Sequence, residues 1–119
     1  MIKPRPLAVV IDDDPEAAEA LALTLRDWGA DVVIAGNAAE ALAQLGGSGE
    51  AVCWIITDFE LDGANGVDDV VPLVEASPWA RVLVLSGAMR FAEAADRAGF
   101  DKMSKPASAD HILAWIEKR

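Results

Sequence analysis

Short apolar runs alternate with amphipathic stretches along the whole chain, and this alternation predicts five strand–helix units. The first run, residues 7–11, is uninterrupted and β-branched, which is typical of a strand that is covered on both faces. Asp14 and Pro15 then predict the N-cap and first position of a helix, and Gly29 is expected to end it. The same periodicities predict further strands at 32–35, 52–57, 81–85 and 101–104, and further helices at 38–45, 67–75, 88–98 and 108–118.

Strands and helices that alternate in this way predict an α/β fold, an open parallel sheet with helices on both faces, in one domain spanning 1–119. In such sheets, ligands bind beyond the carboxyl ends of the strands, where the strand order reverses. Asp12 and Asp13 follow the first predicted strand, and Asp58 follows the third. Ser86 and Lys105 follow the fourth and fifth strands. In the strand order 2-1-3-4-5 these four ends are adjacent, so the five side chains are expected to converge.

Three carboxylates at one sheet edge repel one another unless a cation is present. Lys105 supplies one positive charge, so a net charge of −2 remains among these groups. A hard divalent ion such as Mg²⁺ would neutralise this charge and accept oxygen ligands. A metal held in this way commonly binds a phosphoryl group, with the lysine as a second cation and the Ser86 hydroxyl as a donor. The pattern therefore predicts Mg²⁺-assisted phosphoryl transfer onto a carboxylate, and Asp58, at the centre of the edge, is the best candidate.

Composition and charge narrow the classes of function. The 119 residues are 53% hydrophobic and 25% charged, as in an ordinary globular domain. Twenty acidic residues against ten basic ones give a formal net charge of −10, so we do not expect binding to nucleic acid. No apolar run approaches the roughly 20 residues of a membrane span, so no membrane association is expected. The single cysteine, Cys53, is predicted to be a buried thiol and fits a reducing cytoplasm, where we expect the protein to act.

Four motifs resemble the receiver domain of two-component response regulators, and the resemblance covers the whole chain. They are Val9-Val10-Ile11-Asp12-Asp13-Asp14-Pro15, Asp58-Phe59-Glu60-Leu61 with Gly66 eight residues after the aspartate, Leu83-Val84-Leu85-Ser86-Gly87, and Lys105-Pro106. The resemblance implies a flavodoxin-like, doubly wound sheet of five parallel strands in the order 2-1-3-4-5. The peptide bond of the lysine–proline pair is usually cis in this family, so the resemblance implies a cis bond between Lys105 and Pro106. It also implies a phosphorylation-dependent signalling switch in a phosphorelay.

The resemblance implies a role for each residue of the predicted site. Asp58 would accept a phosphoryl group from a sensor histidine kinase or a histidine phosphotransfer protein. Asp13 and Asp58 would ligate Mg²⁺ directly, together with the backbone carbonyl of Glu60, and Asp12 would act mostly through water. Such a domain catalyses only its own phosphorylation and slow dephosphorylation, so we do not expect a metabolic enzyme.

Signal output is implied by the same resemblance. Ser86 and Lys105 would bind the incoming phosphoryl oxygens, and Ser86 would be drawn toward the phosphate. This movement would repack the face formed by the fourth helix, the fifth strand and the fifth helix, where a downstream protein would bind.

Three positions depart from the family pattern. Asp62 stands where proline is usual, four residues after the phosphoacceptor, and it puts only the rigidity of the loop in doubt. Lys102 stands where an aromatic residue is common, which puts signalling through rotation of that aromatic in doubt. Ala107 replaces a bulky residue, which is expected to loosen or reshape the output face.

His111 and the tryptophans have structural rather than functional interpretations. His111 is expected to be a solvated residue on the last helix. Trp28 and Trp54 are expected in the core, and Trp79 is expected to be partly exposed in a loop. Trp115 fits either a half-exposed partner surface or simple edge packing.

Two other functions stay open from the residues alone. A Mg²⁺-dependent phosphohydrolase of the haloacid-dehalogenase type also uses an aspartate nucleophile, but its nucleophile follows the first strand and it has a cap domain. A pseudo-receiver would bind partners without phosphate, yet it should lack a key residue and none is missing here. We expect either a stand-alone regulator without an output domain after Arg119 or the receiver of a longer chain, such as a hybrid histidine kinase.

Overall fold

Five parallel strands form the central sheet of the protein, in the order β2-β1-β3-β4-β5. The computed structural model describes residues 5–61, 63–87 and 91–118. The strands are β1 Leu7–Ile11, β2 Asp31–Ala35, β3 Val52–Asp58, β4 Arg81–Ser86 and β5 Asp101–Ser104. Both the strand order and the position of every predicted strand are confirmed to within two residues.

Helices connect successive strands and lie on both faces of the sheet. They are α1 Pro15–Trp28, α2 Ala38–Leu45, α3 Gly66–Asp69, α4 Val71–Ala76, α5 Phe91–Ala98 and α6 Ala109–Glu117, with one 3₁₀ turn at Gly49–Ala51. The predicted third helix is therefore two short helices, α3 and α4, and the predicted fourth and fifth helices are α5 and α6. Asp62 and the predicted helix start at residue 88 lie outside the described residues.

Adjacent residues of β3 show how the sheet is covered on both faces, because successive side chains of a strand point in opposite directions. Ile55 packs on one face in a cluster with Leu73 of α4. Ile56 packs on the other face with Leu25 of α1 and Ile112 of α6. All five side chains are fully buried, and each contributes roughly 1.5–3 kcal/mol through removal of its apolar surface from water. The uninterrupted apolar runs of the central strands thus reflect burial on both faces.

Side-chain caps fix where the helices begin, and so fix the loops that lie at the carboxyl ends of the strands. The Asp14 carboxylate accepts a hydrogen bond from the amide of Glu16, which confirms its predicted role as the N-cap of α1. Ser108 caps α6 by accepting from the amide of His111, whose side chain is exposed as predicted. At the far end of α1, Gly29 has a φ of 124°, a conformation that favours glycine, and it ends the helix.

The tryptophan and cysteine predictions are partly wrong. Trp28 is 37% exposed rather than buried, because it lies at the last turn of α1, with its ring edge-on to Trp54 and its indole N–H donated to a surface carboxylate. Trp115 is only 7% exposed, so edge packing is the correct alternative, while Trp79 is exposed as expected. Cys53 is half-buried rather than buried.

Candidate functional site

The aspartates that follow β1 and end β3 meet at the carboxyl edge of the sheet. Asp12, Asp13 and Asp58 each place one carboxylate oxygen in a group whose members all lie within 4.8 Å of one another. Asp58 is 7% exposed, Asp12 is half-buried and Asp13 is exposed. The predicted convergence of the three carboxylates is therefore present, with a buried member at its centre and an open side toward solvent.

Lys105 approaches the same carboxylates from the loop that follows β5. Its Nζ lies 2.7 Å from Oδ1 of Asp58, in an ion pair whose carboxylate partner is buried. The loop is held against the neighbouring strand because the amide of Lys105 donates to the carbonyl of Ser86, at 2.8 Å. The Lys105–Pro106 peptide bond is cis, as the resemblance implied.

The pKa values of Asp58 and Lys105 are both raised, but for different reasons. Burial raises the pKa of the Asp58 carboxyl, the ammonium of Lys105 partly offsets this, and Asp12 adds to the increase, so the pKa is raised overall. Burial alone would lower the pKa of Lys105, but its contact with Asp58 and the nearby charges of Asp12 and Glu60 outweigh burial and raise it. Burial above all, with a smaller effect of Asp12, therefore disfavours ionised Asp58, and the surrounding carboxylates favour a positive charge on Lys105.

The Ser86 hydroxyl at the end of β4 donates a hydrogen bond to the carboxylate of Glu60. Ser86 is fully buried, whereas Glu60 is an exposed residue whose side chain turns inward. Burial alone would raise the pKa of Glu60, but the hydrogen bond from Ser86 and further donors outweigh this effect and lower it. The family resemblance implies a role only for the main-chain carbonyl of Glu60, so the contact of its side chain with Ser86 is a feature that only the structure shows.

The loop after Asp58 is closed by main-chain contacts on both sides. The amide of Phe59 donates to the carbonyl of Leu85 at 2.8 Å, and the amide of Gly66 donates to the carbonyl of Phe59 at 2.7 Å. A Cβ atom at Gly66 would lie 2.0 Å from the carbonyl oxygen of Asp58, so no other residue fits there without a shift of the backbone. The glycine eight residues after Asp58 is thus required by this close approach.

The donor set fits a divalent cation. Three carboxylates and one ammonium leave a net charge of −2, and carboxylate oxygens are hard ligands. Oδ1 of Asp58 is buried, so a cation would recover part of the cost of burying that charge. Asp12, Asp13 and Asp58 could therefore hold a divalent metal on the open side of the cluster.

Two of the departures from the family pattern lie beside the site. Nζ of Lys102 on β5 is 2.7 Å from both carboxylate oxygens of Asp96 on α5, so a surface ion pair joins these two elements. Ala107 lines a groove of about 540 Å³ between α1 and α6, and Asp12 and Lys105 lie along the same groove. The structure therefore places a charged contact at one departure and open space at the other.

Comparison with known proteins gives a consistent result. Residues 8–117 match the family model of the response regulator receiver domain. The chain is 31% identical to the transcriptional regulatory protein GlrR of Escherichia coli, over 92% of this chain and 25% of that protein. It is 32% identical to the photosynthetic apparatus regulatory protein RegA of Rhodovulum sulfidophilum, over 93% of this chain and 61% of that protein. The chain thus spans between a quarter and three fifths of the length of these relatives.

A solved structure shares the same architecture. It is the crystal structure of a response regulator protein from Burkholderia pseudomallei with a phosphorylated aspartic acid, a calcium ion and citrate. That protein is 35% identical to this chain, with a TM-score of 0.81, over 94% of this chain and 66% of the other. Within the part of the chain that the structure describes, no helix is long and apolar enough to cross a bilayer.

Proposed function

This chain belongs to the response regulator receiver domains, the phosphorylation-dependent switches of two-component signalling, and we propose that its phosphoacceptor is Asp58 and its metal is Mg²⁺. The observation that supports this assignment is the meeting of three carboxylates within 4.8 Å, one of them paired with Lys105 at 2.7 Å. Of the three, Asp58 is the buried one at the end of a central strand, so its position is the most rigidly defined.

Mg²⁺, bound by Asp13 and Asp58 with the main-chain carbonyl of Glu60 and with Asp12 through water, would supply charge neutralisation for an incoming phosphoryl group. A carboxylate oxygen of Asp58 attacks phosphorus while the phosphorus–nitrogen bond of a phosphohistidine donor breaks, and the electron pair stays on the imidazole nitrogen. The Lys105 ammonium, already beside Asp58, binds a phosphoryl oxygen. The Ser86 hydroxyl donates to another phosphoryl oxygen, and water later hydrolyses the acyl phosphate to restore Asp58.

Partners follow from the position of the site. A sensor histidine kinase or a histidine phosphotransfer protein would approach along the groove between α1 and α6, since this groove opens beside Asp12 and Lys105. A downstream protein would read the face formed by α5, β5 and α6, which lies next to Ser86 because β5 pairs with β4. The net charge of −10 disfavours direct binding to nucleic acid, so the partners are proteins.

Intact-mass analysis after incubation with acetyl phosphate and Mg²⁺ tests the proposal. We expect one phosphoryl group on the wild-type protein, none on Asp58→Asn, and none when Mg²⁺ is removed by a chelator. Asp14→Asn is the matched control, because Asp14 caps a helix and should still allow labelling. Labelling of Asp58→Asn to the wild-type level would refute the assignment. Catalytic turnover of a generic phosphate ester would instead favour the phosphohydrolase, and failure to bind Mg²⁺ or beryllofluoride would favour the pseudo-receiver.

A further inference from the structure

The side chains of Glu60 and Ser86 contact each other at the rim of the site, and the proposed function gives the Glu60 carboxylate no role. The hydroxyl of Ser86, buried at the end of β4, donates to Oε1 of Glu60 in the short ladder formed by Glu60–Leu61 and Ala64–Asn65. Glu60 is an exposed residue, and its inward-turned carboxylate also lies beside Asp58 and is attracted by the charge of Lys105. Among these neighbours, Ser86 is the buried hydroxyl that an incoming phosphoryl group would also engage. The contact therefore calls for a functional explanation.

We propose that the Glu60 carboxylate is an internal competitor of the phosphoryl group for the hydroxyl of Ser86, and so holds the unphosphorylated state. This inference rests on the proposed function, in which Ser86 donates to a phosphoryl oxygen. A serine hydroxyl has one proton, so it cannot donate fully to Glu60 and to a phosphoryl oxygen at the same time. Activation must therefore break the contact with Glu60 before or as Ser86 turns toward Asp58.

The strength of the competition follows from the type of contact. A hydrogen bond to a charged acceptor stabilises more than one between neutral groups, and the donor here is shielded from water. Glu60 also adds a fourth carboxylate near the place that a dianionic phosphoryl group would occupy. Both effects oppose the activated state, but only the first of them depends on Ser86.

A double-mutant cycle separates the two effects. The probe is beryllofluoride in the presence of Mg²⁺, and its dissociation constant is measured for wild type, Glu60→Ala, Ser86→Ala and the double variant. We expect Glu60→Ala to tighten binding by about tenfold when Ser86 is present. In the Ser86→Ala background the same change should tighten binding by no more than about twofold to threefold, since only the charge effect remains.

Two further variants serve as controls. Glu60→Gln keeps an acceptor for Ser86 but removes the charge, so its affinity should lie between wild type and Glu60→Ala. Glu75→Ala removes an exposed glutamate from α4, at the opposite edge of the sheet, and should leave the affinity within about twofold of wild type because surface charges at that distance are screened.

The competition and the proposed function fail in different ways. Equal effects of Glu60→Ala with and without Ser86 would overturn the competition while leaving Asp58 phosphorylation intact. Failure of every variant to bind beryllofluoride would contradict the proposed function instead. In that case the contact is tested without any ligand, by measuring the side-chain rotamer of Ser86 from NMR couplings. If Glu60→Ala leaves the rotamer distribution of Ser86 unchanged, the contact with Glu60 is refuted; if the distribution shifts, the contact is supported.

Discussion

Replacing Gly66 by alanine should displace the loop that follows Asp58. The new Cβ would lie 2.0 Å from the carbonyl oxygen of Asp58 and 2.9 Å from Oγ1 of Thr57. Ordinary van der Waals contact begins near 3.4 Å, so the loop or the end of β3 must move by about 1.4 Å. Such overpacking typically costs about 1–3 kcal/mol, and it also strains the 2.7 Å hydrogen bond from the amide of Gly66 to the carbonyl of Phe59.

Urea denaturation followed by tryptophan fluorescence measures the loss of stability. The rate of labelling by acetyl phosphate reports whether Asp58 has been displaced, because phosphoryl transfer depends on the position of its carboxylate. We expect Gly66→Ala to lose about 1–3 kcal/mol and to be labelled at least tenfold more slowly. Gly87→Ala is the matched control, since no atom of residues 5–61, 63–87 or 91–118, its chain neighbours aside, lies within 4 Å of its added Cβ, and its φ is not positive. A Gly66→Ala protein as stable and as rapidly labelled as Gly87→Ala would refute the close-approach argument.

Four further predictions concern charge. In metal-free protein the pKa of Asp58 is raised above its ordinary value of 3.8, so the folded protein holds this proton at pH values where the unfolded chain has lost it. Folding of wild type is therefore increasingly penalised as pH rises, and thermal unfolding should show that the stability advantage of Asp58→Asn grows between pH 4 and pH 7. Adding Mg²⁺ at ten times its Kd should stabilise wild type by about 1.4 kcal/mol and the Asn variant by clearly less; equal gains would contradict direct ligation by Asp58. Arg81→Lys should lose about 1–3 kcal/mol of unfolding free energy in urea denaturation. The Arg81 guanidinium stacks 4.4 Å from the Trp115 ring centre and also donates to the Trp115 carbonyl at 2.8 Å, and a lysine ammonium cannot make both contacts at once. Lys102→Ala should change the free energy of unfolding by less than about 1 kcal/mol, because the ion pair of Lys102 with Asp96 is exposed. In 1 M NaCl the difference from wild type should vanish, and a larger loss that does not depend on salt would show that the pair has a structural role.

Local pattern was sufficient for the elements and for the edge at which the site lies. Uninterrupted apolar runs separated by amphipathic stretches leave few alternatives to a parallel sheet covered on both faces, since each strand must bury both of its sides. Even the weakly apolar β5 was placed correctly at residues 101–104, because the topology requires a strand between α5 and α6. Trp28 was placed wrongly because helical spacing indicates which side of a helix a residue occupies, not where the neighbouring elements stop covering it.

What the sequence determined by itself is therefore the fold class, the succession of elements and the groups that follow the strand ends, because strand ends and residue types are local properties. The strand order was implied by the resemblance to receiver domains, and the structure confirms it. Tertiary structure alone decided which of those groups touch. The contact of Ser86 with Glu60 joins residues 26 positions apart in the chain, and Asp69 on α3 accepts from the amide of Ala38, which opens α2, 31 positions away. Such pairings depend on the placement of loops across the sheet edge to within about an ångström, because a hydrogen bond is made or lost over that range. Hydrophobic periodicity along the sequence carries no information about these distances.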